Sequence, residues 1–214
     1  MNQGLLFLSG GGGAQDSVEV DSLFVRSLPK KATILYLPHA NAKQSDDYSP
    51  SIQWLTATLN NVNHLGKSIS IDTPLNLELV ESIDKYDAIY IGGGNTYRLM
   101  HILRKTGLDT RIKRYVQSGG RVYGGSAGAI IFGRTIASAK DARVGYESSP
   151  PDGLDLLGGL SLLCHYNKDD STLVSLESQD HPTICLYENS ALYVNNSVIT
   201  SIGKAHDILL PNNY

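Results

Sequence analysis

A serine set among glycines carries the first chemical signal. Gly124-Gly125-Ser126-Ala127-Gly128 has the G-x-S-x-G spacing of a nucleophile elbow. The β-like run Arg121-Val122-Tyr123 enters it, and the small-residue run Ala127-Gly128-Ala129-Ile130 leaves it as a helical start. A hydroxyl on so tight a turn stands clear of its sheet, and side chains on its neighbours would block either the turn or the substrate. The following helix aims its first N–H groups at developing negative charge, so the N–H of Ala127 is a natural oxyanion donor. A second glycine turn, Gly92-Gly93-Gly94 after Ile89-Tyr90-Ile91, also joins a strand to a helix. Gly94 is its candidate for the other donor. No Gly-Lys-Ser/Thr follows and no G-x-G-x-x-G is completed, so this is not a nucleotide-phosphate loop. Gly10 to Gly13 forms a third such loop, suited to tight chain packing or to facing a substrate.

A serine hydroxyl is a poor nucleophile until a base takes its proton. Of the six histidines, His165 ends the apolar run Leu162-Leu163-Cys164 and so sits at a strand end. His39, just after Pro38, is the alternative. His64, His101, His181 and His206 lie in polar, helical or C-terminal stretches. The carboxylate that orients the imidazole is Glu188, at the end of the apolar run Thr183 to Tyr187, with Asp141 in the loop after the elbow as second candidate. The chain order Ser126, His165, Glu188 differs from that of α/β-hydrolases, where the acid lies between serine and histidine. A different α/β scaffold with a similar elbow is expected.

That scaffold is legible as apolar strands alternating with helical stretches. Strands are expected at Gly4 to Ser9, Ala32 to Leu37, Ser68 to Ile71, Asp87 to Ile91 and Gly120 to Gly124. Helices are expected near Asp16 to Ser27, Ser51 to Leu59, Thr96 to Arg104 and Asp109 to Gln117, with another opened by Pro74. The alternation implies an α/β fold, a largely parallel sheet flanked by helices, with functional loops at the carboxyl ends of the strands. After Phe132 helical periodicity fades. Short runs at Ser161 to Leu163, Thr183 to Tyr187, Ala191 to Val194 and Val198 to Ile202 predict antiparallel additions, with Asn195-Asn196 as a hairpin turn.

The whole chain, 214 residues with 41% hydrophobic and 18% charged side chains, is expected to form one domain over residues 1–214. A net charge of -3 leaves no basic footprint for nucleic acid. The apolar runs are strand-sized, too short for a membrane span, and no secretory leader is expected. Cytoplasmic residence follows as the expectation, with Cys164 and Cys185 reduced and packed as small apolar groups. Metal-ligand spacing is missing, so neither a metal nor a cofactor is expected. The expected partner is a small peptide substrate, and the chain is expected to be a monomer or homodimer.

The sequence resembles the dipeptidase E and cyanophycinase family of serine exopeptidases, whose fold is similar to the class I glutamine amidotransferases. Gly92-Gly93-Gly94-Asn95-Thr96, Gly125-Ser126-Ala127-Gly128-Ala129 and the spacing of His165 and Glu188 carry the resemblance, which covers nearly the whole chain. It implies Ser126 as nucleophile, His165 as base, and the N–H groups of Gly94 and Ala127 as the oxyanion hole. Glu188 resembles the acid of the cyanophycinase branch. Dipeptidase E cleaves after an N-terminal aspartate and cyanophycinase cuts β-aspartyl-arginine units, so the resemblance implies short peptides with an aspartyl first residue, with cyanophycinase-like hydrolysis of β-aspartyl peptides as the alternative. An acidic side chain calls for a cation, and Arg98, Lys140, Arg143 and Lys168 lie in candidate loops. Asn95, Arg143 and Lys168 are the candidate substrate contacts. A glutaminase would use cysteine where this chain has Ser126. A regulatory or binding protein that keeps the scaffold without activity is the non-enzymatic alternative.

Overall fold

The computed structural model describes residues 4–41, 47–167, 181–203 and 206–209. Period-two alternation sends successive side chains of each strand into opposite layers. Phe7, Ile34, Tyr36, Ala88, Tyr90 and Tyr123 face one core, while Leu6, Leu8, Leu35, Leu37, Ile89, Ile91 and Val122 face the other. Both faces are covered, which is why these strands read as continuous apolar runs. The five strands of this parallel part are β1 (Leu5–Ser9), β2 (Lys31–Leu37), β3 (Ser68–Asp72), β4 (Ala88–Ile91) and β5 (Arg121–Gly125). Against them β8 (Ser190–Asn195) and β9 (Val198–Gly203) pair antiparallel, giving the order β3-β2-β4-β5-β1-β8-β9.

The helices α1 (Val18–Ser27) and α2 (Ser49–Val62) cover the first face. On the second lie α3 (Thr96–Lys105), α4 (Leu108–Gln117) and the short α5 (Ala127–Ile130) that follows the elbow. Asn95 opens α3, its side chain accepting from the Arg98 N–H at 2.9 Å. The fold is thus the α/β, largely parallel architecture expected, with its late antiparallel strands.

Three local expectations differ. Pro74 opens no α-helix; the segment forms only a 3₁₀ turn at Leu77–Leu79. Leu77, Val80 and Ile83 are buried there at a spacing of three, while Leu75 and Leu79 stay exposed, a pattern that suits tight turns better than a 3.6-residue helix. The hairpin between β8 and β9 turns at Asn196-Ser197, both at positive φ, one residue later than expected. Finally, β6 (Ser161–Leu163) and β7 (Thr183–Cys185) pair parallel, in a separate three-stranded sheet completed by β10 (Asp207–Leu209). That last strand is too short for periodicity to reveal. No helix among the described residues is long and apolar enough to cross a membrane.

Candidate active site

The carboxyl ends of β1, β4 and β5 carry the three glycine turns to one edge of the sheet. Ser126 sits between β5 and α5 with φ 51 and ψ -112, a conformation that costs a side-chain-bearing residue about 1–3 kcal/mol. Its surroundings hold it there. The Ser126 N–H donates to the Ser9 carbonyl at 3.0 Å, and the Ser126 carbonyl accepts from Ala129 and Ile130 at 2.8 and 3.0 Å. The Cys164 thiol also reaches that carbonyl at 3.7 Å. A Cβ on Gly124 would lie 2.2 Å from the Gly128 carbonyl oxygen, so the approach of strand to helix requires glycine.

Three segments distant in sequence meet here. Ser126 Oγ lies 2.8 Å from His165 Nε2, and His165 Nδ1 lies 2.9 Å from Glu188 Oε1. A carboxylate only accepts, so Nδ1 carries the proton and Nε2 is left to accept from the serine hydroxyl. His165 itself stands at φ 52, with its N–H donating to Gly10 at 2.9 Å and its carbonyl accepting from Lys140 Nζ at 3.1 Å. The imidazole rests on Gly11, where an added Cβ would come within 2.3 Å of Cε1. The Gly10 to Gly13 loop packs tightly at Gly11, and Gly11 and Gly12 line the cleft beside Ser126.

Glu188 lies in the turn between β7 and β8 rather than on a strand. The His165 and Glu188 side chains are 46% and 57% exposed, so their contact adds little to stability and its value is orientation. Asp141 stands elsewhere. Its Oδ2 accepts from the Thr96 N–H at 2.8 Å and from Thr96 Oγ1 at 2.6 Å, which caps α3 instead of holding the imidazole. His39 is buried and packs against Tyr48 at 4.9 Å.

Among the described residues, the N–H groups of Gly94 and Ala127 have no protein acceptor. Both flank Ser126: Ala127 follows it, and Gly94 follows Gly93, where an added Cβ would lie 3.3 Å from Ser126 Cβ. Two unclaimed donors beside a hydroxyl are what an oxyanion needs.

The other candidates face away. Asn95 donates from Nδ2 to the Ala142 carbonyl at 2.8 Å while capping α3. Arg98 donates from Nε to the His39 carbonyl at 3.2 Å. Arg143 lies over the Tyr97 ring at 4.9 Å and donates to Glu147 and Ser149 carbonyls. None of these side chains lines the cleft, and Lys168 lies outside the described residues. Burial pushes the Cys164 and Cys185 thiols well up, which keeps them protonated and unreactive.

The cleft measures roughly 440 Å³. Its floor went unread in the sequence. Tyr36, Tyr90 and Tyr123 are register partners on β2, β4 and β5, with the Tyr90 and Tyr123 rings stacked at 4.3 Å. The signal was present: each strand places a tyrosine one or two residues before its terminal turn.

Fold and site together define an α/β protein with the apparatus of a serine hydrolase. Residues 5–202 match Peptidase family S51, and the chain belongs to that family of serine peptidases. It is 31% identical over 194 residues to Peptidase E of Pasteurella multocida (strain Pm70), covering 83% of this chain and 77% of that one. Peptidase E of Haemophilus influenzae (strain KW20 / Rd) is 28% identical over 192 residues, covering 80% and 81%. A Listeria monocytogenes EGD-e protein solved as a candidate peptidase E shares the fold at a TM-score of 0.73 with 23% identity, covering 95% of this chain and all of that one.

Proposed function

We propose that this peptidase is an exopeptidase acting on short peptides through an acyl-enzyme, with Ser126, His165 and Glu188 as its catalytic residues. The observation that carries the proposal is the unbroken chain from Ser126 Oγ through the imidazole to Glu188, at 2.8 and 2.9 Å. Ser126 Oγ attacks the scissile carbonyl as Nε2 takes its proton. The tetrahedral oxygen is held by the N–H groups of Ala127 and Gly94. His165 returns the proton to the leaving amine, and a water then repeats the sequence on the ester. A cleft of roughly 440 Å³ suits a substrate of a few residues.

The aspartyl first residue implied by the resemblance calls for a cation, and Arg98, Lys140 and Arg143 are all turned onto backbone carbonyls. They lend it no support, and side-chain preference is argued from the cleft itself below.

A fluorophosphonate probe should label the wild type and not Ser126→Ala, and that variant should lose on the order of 10⁴-fold in kcat while staying folded. Glu188→Gln should cost less, about 10–100-fold, because Glu188 is solvent-exposed and supplies only part of the orientation and charge stabilisation. An Ser126→Ala variant that keeps its turnover would overturn the proposal.

A further inference from the structure

Beneath the cleft lies a carboxyl that the catalytic sequence does not use. Asp21, on α1, is 0% exposed. Its Oδ2 accepts from Ser17 Oγ at 2.8 Å, and the Tyr123 hydroxyl lies beside the same carboxyl. Its other oxygen, Oδ1, is buried without a hydrogen-bonding partner. Ser17 and Tyr123 both line the cleft beside Ser126. Asp21 is therefore one hydroxyl removed from whatever occupies that space.

A carboxylate accepts and never donates. When Asp21 is ionised, the Ser17 and Tyr123 protons are drawn toward it, and each hydroxyl turns lone pairs to the cleft. The floor then accepts hydrogen bonds and carries a buried negative charge behind it. A protonated Asp21 donates instead, which releases a hydroxyl proton to point outward.

We propose that at neutral pH the cleft selects a peptide residue whose side chain donates hydrogen bonds over one that is acidic, and that Asp21 sets this preference through Ser17 and Tyr123. The inference rests on the peptidase reading of Ser126. It assigns Asp21 a positioning role, since it touches the substrate only through the two hydroxyls.

The neighbouring elements leave the charge uncompensated. On β5 and β4 the titratable groups facing Asp21 are Tyr123 and Tyr90, and Ser9 on β1 approaches Tyr123. Neither α2 nor β1 contains an ionisable residue, and β8 and β9 contribute only Tyr193. Arg121 stands at the opposite end of β5. Burial pushes the Asp21 carboxyl up from the ordinary 3.8 to about 6, so the floor changes character within an accessible pH range.

Amide and acid isosteres separate charge from shape. The purified protein is given Asn-Leu, Asp-Leu, Leu-Asn and Leu-Asp, and the amide-to-acid ratio of kcat/KM is followed between about pH 5 and pH 8. Titration of the catalytic histidine cancels in that ratio. At the position whose side chain enters the cleft, the ratio should be about tenfold or more at the alkaline end and fall toward parity at the acid end. In Asp21→Asn it should be near parity throughout. Should that variant not fold, the wild-type series decides alone. A wild type that handles acid as well as amide at both positions at about pH 8, or whose ratio is flat with pH, would overturn the inference. Failure to hydrolyse any peptide or to label with fluorophosphonate would instead sink the peptidase reading, and the inference with it.

Discussion

Two strained residues meet at the centre of this site. Ser126 and His165 both stand at positive φ, 51 and 52, and each is held by a backbone bond from the end of β1 or the residue after it: Ser9 takes the serine N–H and Gly10 takes the histidine N–H. The geometry of the Oγ–Nε2 contact is thus set by main chain rather than by flexible side chains, a sound basis for a near-attack arrangement. Gly11 extends the same device to the imidazole ring. A methyl group there would meet Cε1 at 2.3 Å and sit on a backbone of φ +109, so the ring must tilt off the serine. Gly11→Ala is expected to lower kcat by about 10²-fold or more, since displacements near 1 Å carry that cost. Circular dichroism should remain that of the wild type. The check is single-turnover acylation: a wild-type acylation rate in Gly11→Ala would show that the loop does not hold the base.

At the scale of the elements, α1 both covers the sheet and carries the buried acid. The folded protein holds the Asp21 proton up to about pH 6, against an ordinary 3.8. Below both values the carboxyl is neutral in either state and costs nothing extra. As pH rises through this window the unfolded chain releases its proton first, so stability falls, by on the order of 2–3 kcal/mol, and is flat above it. Asp21→Asn removes that dependence. Urea unfolding should show the variant gaining on the wild type between about pH 4 and pH 8 by that amount; an equal difference at both ends would mean the carboxyl is not held protonated. The sequence made the site's chemistry legible better than its floor. Ser126, His165 and Glu188 stand out in the sequence because residue types suited to nucleophilic chemistry follow apolar runs, and the structure brings the three side chains together, although Glu188 lies in a turn rather than at a strand end. Asp141 was a reasonable rival until the structure put it on Thr96, a choice that depends on where a loop folds back. Asp21 was hidden by its setting: an acid in the first turn of a helix is ordinarily a solvated partner of the dipole. Only the inward face of α1, with Phe24 and Val25 buried on the same side, makes it a core residue. The segment after Pro74 misled for a similar reason, because a proline that suits a helix start also suits a run of turns.

On the scale of the whole molecule, the sheet separates two cores, and the catalytic edge draws on them unequally. The elbow's helix α5 belongs to the core that holds α3 and α4. The cleft floor belongs to the other, where Phe24 packs edge-on against Tyr90 at 6.1 Å and Tyr123 at 5.4 Å. Large-to-small truncation on either side should cost several kcal/mol, about 3–5 for Phe24→Ala and 2–5 for Leu103→Ala. Their functional signatures should differ. Loss of Phe24 removes the ring that packs edge-on against both floor tyrosines, so Phe24→Ala should raise KM for dipeptides several-fold, measured well below its unfolding transition. Leu103, fully buried on α3, has no contact with that floor, and Leu103→Ala should leave KM within about twofold of wild type at the same temperature. Equal KM values in the two variants would mean that substrate does not sense the tyrosine layer, and that its side chain is read elsewhere along the edge. The sheet makes the comparison clean, since it is the rigid wall between the two perturbations and its strand β5 leads directly into Ser126.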